Sequence, residues 1–332
     1  MVGSKQNLPN LIEEKCQSFH TSTVRSTKDF QLFRFQRRFG KKTPVTITGD
    51  FLVVRPSQEY VYLIVLVSEP DIWKLGVLPL IESLYPRAVQ PFLTQPEIHE
   101  LLKKVQVALA PKSQRLRVLE LSTKKRLVER ARKRFESERK WTDADLELVF
   151  REAREQNAWF RSVTFDLVRE HDGRIVSTGV RAKLSKDGSF MCDGDFELFS
   201  RALVDDLLLF SSERLKFFSS RDRLSTPDHA PRPLQITYER DVFKTSNETK
   251  RLVDGMHRFK HGTCTVLHAN PYVHLSIVDN LDFSSADLWV LSQNEILLVP
   301  QMRASHAALK RIVNHIFEYF REGKISEFQE QN

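Results

Sequence analysis

The sequence is poor in the residues that mark specialised chains. Only 3 of its 332 residues are cysteine, Cys16, Cys192 and Cys264, an odd and widely spaced set that argues against a disulfide-stapled secreted framework and fits a reducing cytoplasm. With 11 glycines and 14 prolines it is neither collagen-like nor a low-complexity chain. Its longest apolar run, residues 60–67, is far short of the roughly 20 residues a membrane-spanning helix needs, so no transmembrane segment is expected. The opening residues lack the apolar stretch of a secretory signal, and Glu13 and Glu14 argue against an organelle transit peptide. Nucleotide-binding, serine-hydrolase and zinc-protease signatures are missing: no Walker loop, no G-x-G-x-x-G after a strand, no G-x-S-x-G, no H-E-x-x-H and no C-x-x-C. The chain is therefore expected to carry no cofactor and to act as something other than an enzyme.

What is present is ordinary globular composition, 41% hydrophobic and 28% charged, with 23 phenylalanines, in a length that suggests about two domains. The net charge of +8 is not spread evenly. Residues 1–42 hold nine Lys/Arg against three acids, residues 111–140 hold twelve against four, and the other 260 residues carry a net −6. Two basic segments are attached to a mildly acidic body. An anionic partner is expected to meet those segments, nucleic acid first and an acidic protein surface second.

In the first segment Phe30, Leu32, Phe33, Phe35 and Phe39 are interleaved with Arg34, Arg37, Arg38, Lys41 and Lys42. Aromatic faces for stacking and cations for phosphate are what a single-stranded nucleic-acid groove requires. Phe35 and Phe39 are the candidate stacking surfaces. An extended arm whose aromatics dock on the body while its cations stay in water is the plainer alternative. In the second segment the spacing of Leu127, Ala131 and Phe135 predicts a helix over 123–140, ringed by Lys124, Lys125, Arg126, Arg130, Arg132, Lys133 and Arg134. Like charges at i,i+4 repel, so an acidic helix carrying Asp143, Asp145, Glu147, Glu152 and Glu155 is expected to pair with it across a turn at Trp141-Thr142. The candidate phosphate-facing cations are thus Arg34, Arg37, Arg38, Lys41 and Lys42, with Lys124, Lys125, Arg126, Arg130, Lys133 and Arg134.

The fold class expected is α+β: antiparallel hairpins and meanders each followed by helices, in three strand-then-helix modules, with a charged helical hairpin after the first. The boundaries are 1–42 for the basic arm, 43–110 for the first module, 111–160 for the helical hairpin and 161–224 for the second module. A proline-rich linker over 225–245, a C-terminal module over 246–325 and a tail over 326–332 follow. A strand pair at 45–54 and 59–67 precedes a helix over 71–84 that Pro79 should kink. Thr94 and Glu97 form a capping box, and Ser305 is the N-cap of a C-terminal helix whose apolar residues keep a 3-4 spacing from Leu309 to Phe320.

Three candidate chemistries remain. His261, Cys264, His268 and His274 match zinc ligands in residue type, and the register of the strand pair decides whether they meet. A two-residue turn at Asn270-Pro271 sends His268 and His274 to opposite faces; a loop one residue longer makes them cross-strand neighbours with Cys264 on the same face. His261-Gly-Thr263 and His274-Leu-Ser276 would supply the acid and base of a phosphodiesterase, and with a metal at His261, His268 and His274 the alternative function is a metal-dependent phosphoesterase or nuclease. Asp193, Asp195 and Glu197 could hold magnesium but suit a helix N-terminus equally, and Asp279, Asp282 and Asp287 read as turn residues. The remaining alternative is a scaffold subunit of a larger complex, its basic helix paired with an acidic partner.

Overall fold

The computed structural model describes residues 1–14, 19–40, 44–67, 70–109, 114–125, 136–144, 146–155, 158–171, 174–194, 196–224, 230–269 and 272–328. The chain divides into two compact units, Met1–Pro91 with Leu208–Ser219, and Phe92–Leu207 with Ser220–Asn332. Three antiparallel sheets with helices make the fold α+β, as the hairpin spacing predicts.

The first unit holds β1 (Val2–Ser4), α1 (Leu8–Glu14), β2 (Phe19–Ser26), β3 (Phe30–Phe39), β4 (Val45–Val54), β5 (Val61–Val65) and β6 (Ala88–Val89). The strands lie in the order β2-β3-β4-β5-β1-β6. Residues 1–42 are therefore no separate arm: β1, β2 and β3 are members of the sheet. The reason is visible in β3 itself. Its odd residues Phe33 and Phe35 turn inward and are fully buried, its even residues Arg34, Gln36 and Arg38 are exposed, and that period of two is a strand pattern. Phe51 on β4 completes the cluster, its ring 5.4 Å from Phe33 and 5.9 Å from Phe35. Full burial of each ring contributes about 2–3 kcal/mol, and this inward cluster fixes the β2-β3-β4 register.

Over the cluster lie α2 (Pro70–Ile72), a π-helical turn Trp73–Val77 and α3 (Leu78–Ser83). The irregularity expected at Pro79 comes one turn earlier. Pro79 has no N–H to give to the carbonyl four residues back, which is that of Leu75. The Arg37 guanidinium fills the place by donating Nη1–H to it. Gly76 lies against the Phe35 ring so closely that an added Cβ would overlap it.

The second unit opens with α4 (Gln95–Leu109). Its capping box is formed as the sequence predicts: the Thr94 N–H donates to Glu97 Oε2 at 2.7 Å, and the Glu97 N–H to Thr94 Oγ1 at 3.4 Å. The next sheet contains β7 (Gln114–Lys125), β8 (Glu136–Ala144), β9 (Ala158–His171), β10 (Arg174–Ser185) and β11 (Phe190–Asp193), ordered β11-β10-β9-β7-β8, with α5 (Leu146–Glu155) between β8 and β9. The helix expected over 123–140 is corrected at both described ends. Residues 123–125 close β7, residues 136–140 open β8, and Trp141-Thr142 lies inside β8 instead of in a turn. The register explains why. It pairs Lys124 with Glu136 and Glu120 with Lys140, and a sequence whose unlike charges fall at paired positions favours a strand pair over a helix that repeats like charges one turn apart. Of the acidic helix, α5 carries Glu147, Glu152 and Glu155. The expected meander is present as β9-β10-β11, followed by α6 (Glu197–Phe199), a second π-turn Ser200–Val204 and the start of α7 (Asp205–Ser219), which belongs to the first unit from Leu208 onward.

The last sheet contains β12 (Leu234–Thr237), β13 (Gly262–His268), β14 (His274–Asp279), β15 (Ser284–Ser292), β16 (Glu295–Pro300) and β17 (Lys324–Glu327), in the order β13-β14-β15-β16-β12-β17. The proline-rich linker thus contributes a strand, because Leu234 and Ile236 alternate inward, and β17 reaches into the residues expected as a tail. Leu275, Ile277, Ala286, Leu288, Ile296 and Leu298 are fully buried on one face of this sheet. The remaining helices among the described residues are α8 (Ser246–Met256) and α9 (His306–Tyr319), and α9 buries Leu309, Ile312, Val313, Ile316 and Phe317. Ser305 caps α9 by accepting from the Ala308 N–H at 2.9 Å.

Candidate nucleic-acid interface

Two of the candidate cations of the first segment, Arg34 and Arg38, are built onto the outward face of β2-β3-β4. Pairing aligns Ser22, Arg34 and Asp50 in one row, His20, Gln36 and Thr48 in the next, and Arg38 with Thr46 in a third. All eight residues are exposed, and none is apolar. β5 joins β4 only at Leu52–Val54, so these rows lie on a ledge that is three strands wide. Beneath it the inward side is closed by Phe35 against the π-turn.

The cations on this ledge differ in what they are free to do. Arg34 binds Asp50 through Nε at 2.8 Å and Nη2 at 2.9 Å. Those hydrogen bonds, and secondarily the opposite charge, raise the arginine pKa above its ordinary value, and the same bonds hold the Asp50 carboxyl below its own. Arg38 is exposed and has no ion-pair partner among the described residues. Arg37 points the other way. It is half-buried, donates to the Leu75 carbonyl, and lies 5.1 Å from the Phe19 ring centroid and 5.2 Å from that of Phe39. It ties the hairpin to the π-turn, on the side of β3 opposite Arg34 and Arg38. Phe35 is fully buried and offers no stacking surface; Phe39 is half-buried beside Arg37. Both are corrections to the stacking groove expected from the interleaved aromatics, since a strand sends its aromatics and its even-numbered cations to opposite faces.

Lys41, Lys42, Arg126, Arg130, Lys133 and Arg134 lie outside the described residues. Lys124 and Lys125 are the last two residues of β7. The uncharged members of the face, His20, Ser22, Gln36, Thr46 and Thr48, were not singled out from composition. The period of two in Phe33-Arg-Phe-Gln-Arg-Arg38 is the signal that would have found Gln36.

The C-terminal histidines are divided by the register. A bulge between Val266 and His268 makes His268 the cross-strand neighbour of His274, the longer-loop alternative. Cys264 sits opposite Ile277, on the other side of the sheet, and burial pushes its thiol up to about 11. His261 precedes the far end of β13, about 20 Å along the strand from His268. His274 stacks on Trp289 with centroids 3.5 Å apart, and its Nε2 is 3.3 Å from Asp287 Oδ2. Among the described residues no three potential ligands converge on one point, so the set His261, Cys264, His268 and His274 does not form a metal centre there. Asp279 and Asp282 are more than turn residues: Asp279 holds Arg311, and Asp282 accepts from Ser305 Oγ at 2.5 Å. No family model matches this chain, and neither a curated protein nor a solved structure matches it.

Proposed function

We propose that the protein is a non-enzymatic nucleic-acid-binding or assembly protein of the cytoplasm that takes its anionic partner on the outward face of β2-β3-β4. The observation that supports this reading is the make-up of the face. Arg34 and Arg38 stand on the exposed stretch of β3 with His20, Ser22, Gln36, Thr46 and Thr48 beside them and Asp50 as the acid of these rows, and the half-buried Leu32 and Leu52 begin where the rows end. Such a surface can hold phosphates and polar base edges. The free thiol of Cys264 agrees with a reducing compartment.

Binding of mixed-sequence nucleic acid, followed by fluorescence anisotropy over a range of salt, tests the proposal. Affinity is expected to fall linearly in log K against log salt, and Arg38→Glu is expected to lower it several-fold. Absence of binding at low salt would sink the reading. Retention of an acidic protein in its place would favour the scaffold alternative.

A further inference from the structure

We propose that the three-stranded ledge enters the major groove of duplex DNA, with Arg34, Gln36 and Arg38 reading base edges; this rests on the nucleic-acid reading above and narrows it to one polymer. The width argues first. Neighbouring strands lie about 4.8 Å apart, so β3 with either neighbour makes the two-stranded body that a major groove about 12 Å wide admits and a minor groove of about 6 Å does not, with the third strand left at the groove wall. The major groove of A-form RNA is too narrow and deep for such a body. The ledge is free to enter because β5 pairs with β4 only beyond Phe51, at Leu52–Val54, leaving Thr46, Thr48 and Asp50 on an open flank.

Chemistry argues second. Single-stranded nucleic acid is held largely by stacking on aromatic rings. The rows from Arg34 to Arg38 have none, because Phe33, Phe35 and Phe51 point into the core and Phe30, on the outward side, is half-buried at the far end of β3 beyond Leu32. What it has is a row of side chains suited to base edges. Arginine donates bidentately to guanine O6 and N7, and glutamine pairs bidentately with adenine N6 and N7. Residues two apart on an antiparallel strand are about 6.8 Å apart, close to two base-pair steps of about 3.4 Å, so Arg34, Gln36 and Arg38 can address alternate base pairs as β3 follows the groove. Asp50 engages only Nε and one hydrogen of Nη2 of Arg34. The other Nη2 hydrogen and both on Nη1 remain, a fork held in place before DNA arrives. Ser22 on β2 and Thr46 and Thr48 on β4 flank the row and can donate to phosphates on the groove walls.

The test uses the full chain and a fluorescent DNA duplex enriched from a randomised pool by the unmodified protein, with its separated strand and the matching RNA duplex as competitors. The DNA duplex is expected to bind at least about tenfold more tightly than either competitor. Gln36→Ala and Arg38→Ala should each weaken it by about five- to a hundredfold. Lys74→Glu, an exposed charge change on the π-turn that covers the opposite side of the sheet, should change it little. Guanine N7 should be protected from dimethyl sulfate by the unmodified protein, and that protection should be lost in Arg34→Ala or Arg38→Ala. Equal or tighter binding of the single strand or the RNA duplex, still dependent on Arg38, would overturn the major-groove assignment and leave the nucleic-acid reading standing. Unprotected N7 in a tight DNA complex would also overturn it. No binding to any of the three polymers would remove both.

Discussion

Asp279 ends β14 with its side chain fully buried, and both its oxygens accept from Arg311 Nη1, at 2.9 and 2.8 Å, while one also accepts from the Leu281 N–H. Arg311 anchors its other terminal nitrogen on the Lys260 carbonyl at 2.8 Å. Removing the carboxylate would strand a guanidinium whose side chain is 21% exposed. Asp279→Ala is expected to cost about 3 kcal/mol in urea unfolding, and the double variant Asp279→Leu with Arg311→Met to cost less, since a buried pair replaced as a whole leaves no orphan charge. A double variant as unstable as the single one would place the effect in the backbone bond to Leu281. Residue roles of this kind were the least legible part of the sequence. Asp279 reads as a turn residue because its partner is far along the chain, and Arg37 reads as a free cation because nothing local announces its bond to the Leu75 carbonyl, to which Pro79 has no N–H to give.

Elements whose signals are local were readable, and α4 and α9 show why. A capping box and an N-cap serine are completed within three or four residues, so the sequence contains both halves of each interaction. The two caps differ in what else they touch. Ser305 is fully buried; its hydroxyl also donates to Asp282, and its N–H donates to Ser284 Oγ at 2.9 Å. Thr94 makes only the reciprocal pair with Glu97 among its side-chain bonds. Thr94→Ala is accordingly expected to cost about 1 kcal/mol, and Ser305→Ala about 2 or more, because Asp282 loses a donor in a buried place. Urea midpoints at constant slope measure both, and an equal cost would mean that Asp282 is satisfied without the serine. Elements that depend on distant pairing were misread. The stretch around 123–140 has apolar residues at helical spacing, and only the pairing of β7 with β8 and β9 makes its described ends strands. The strand β12 was hidden by flanking prolines and is inserted between β16 and β17, a placement no local signal encodes.

At the scale of the whole molecule the charge asymmetry remains the main functional clue, and its two halves fall in different units: the β3 cations in the first, the 111–140 segment in the second. They are expected to work differently, and salt separates them. A phosphate contact releases counterions, so its loss lowers the slope of log K against log salt by about 0.9 for duplex DNA. A base-edge contact releases none in proportion, so Arg38→Ala should lower affinity at every salt concentration with the slope nearly unchanged. Arg130, Lys133 and Arg134 were assigned to phosphates. Reversing all three should reduce the slope by up to about 2.7 if each neutralises a phosphate. If they act only through the long-range field, screening over about 10 Å at 0.1 M salt leaves a modest loss that vanishes as salt rises. A slope unchanged by the triple reversal would confine DNA contact to the β2-β3-β4 ledge, and the basic excess of the second unit would then have its partner in the acidic body of the protein itself or in another protein.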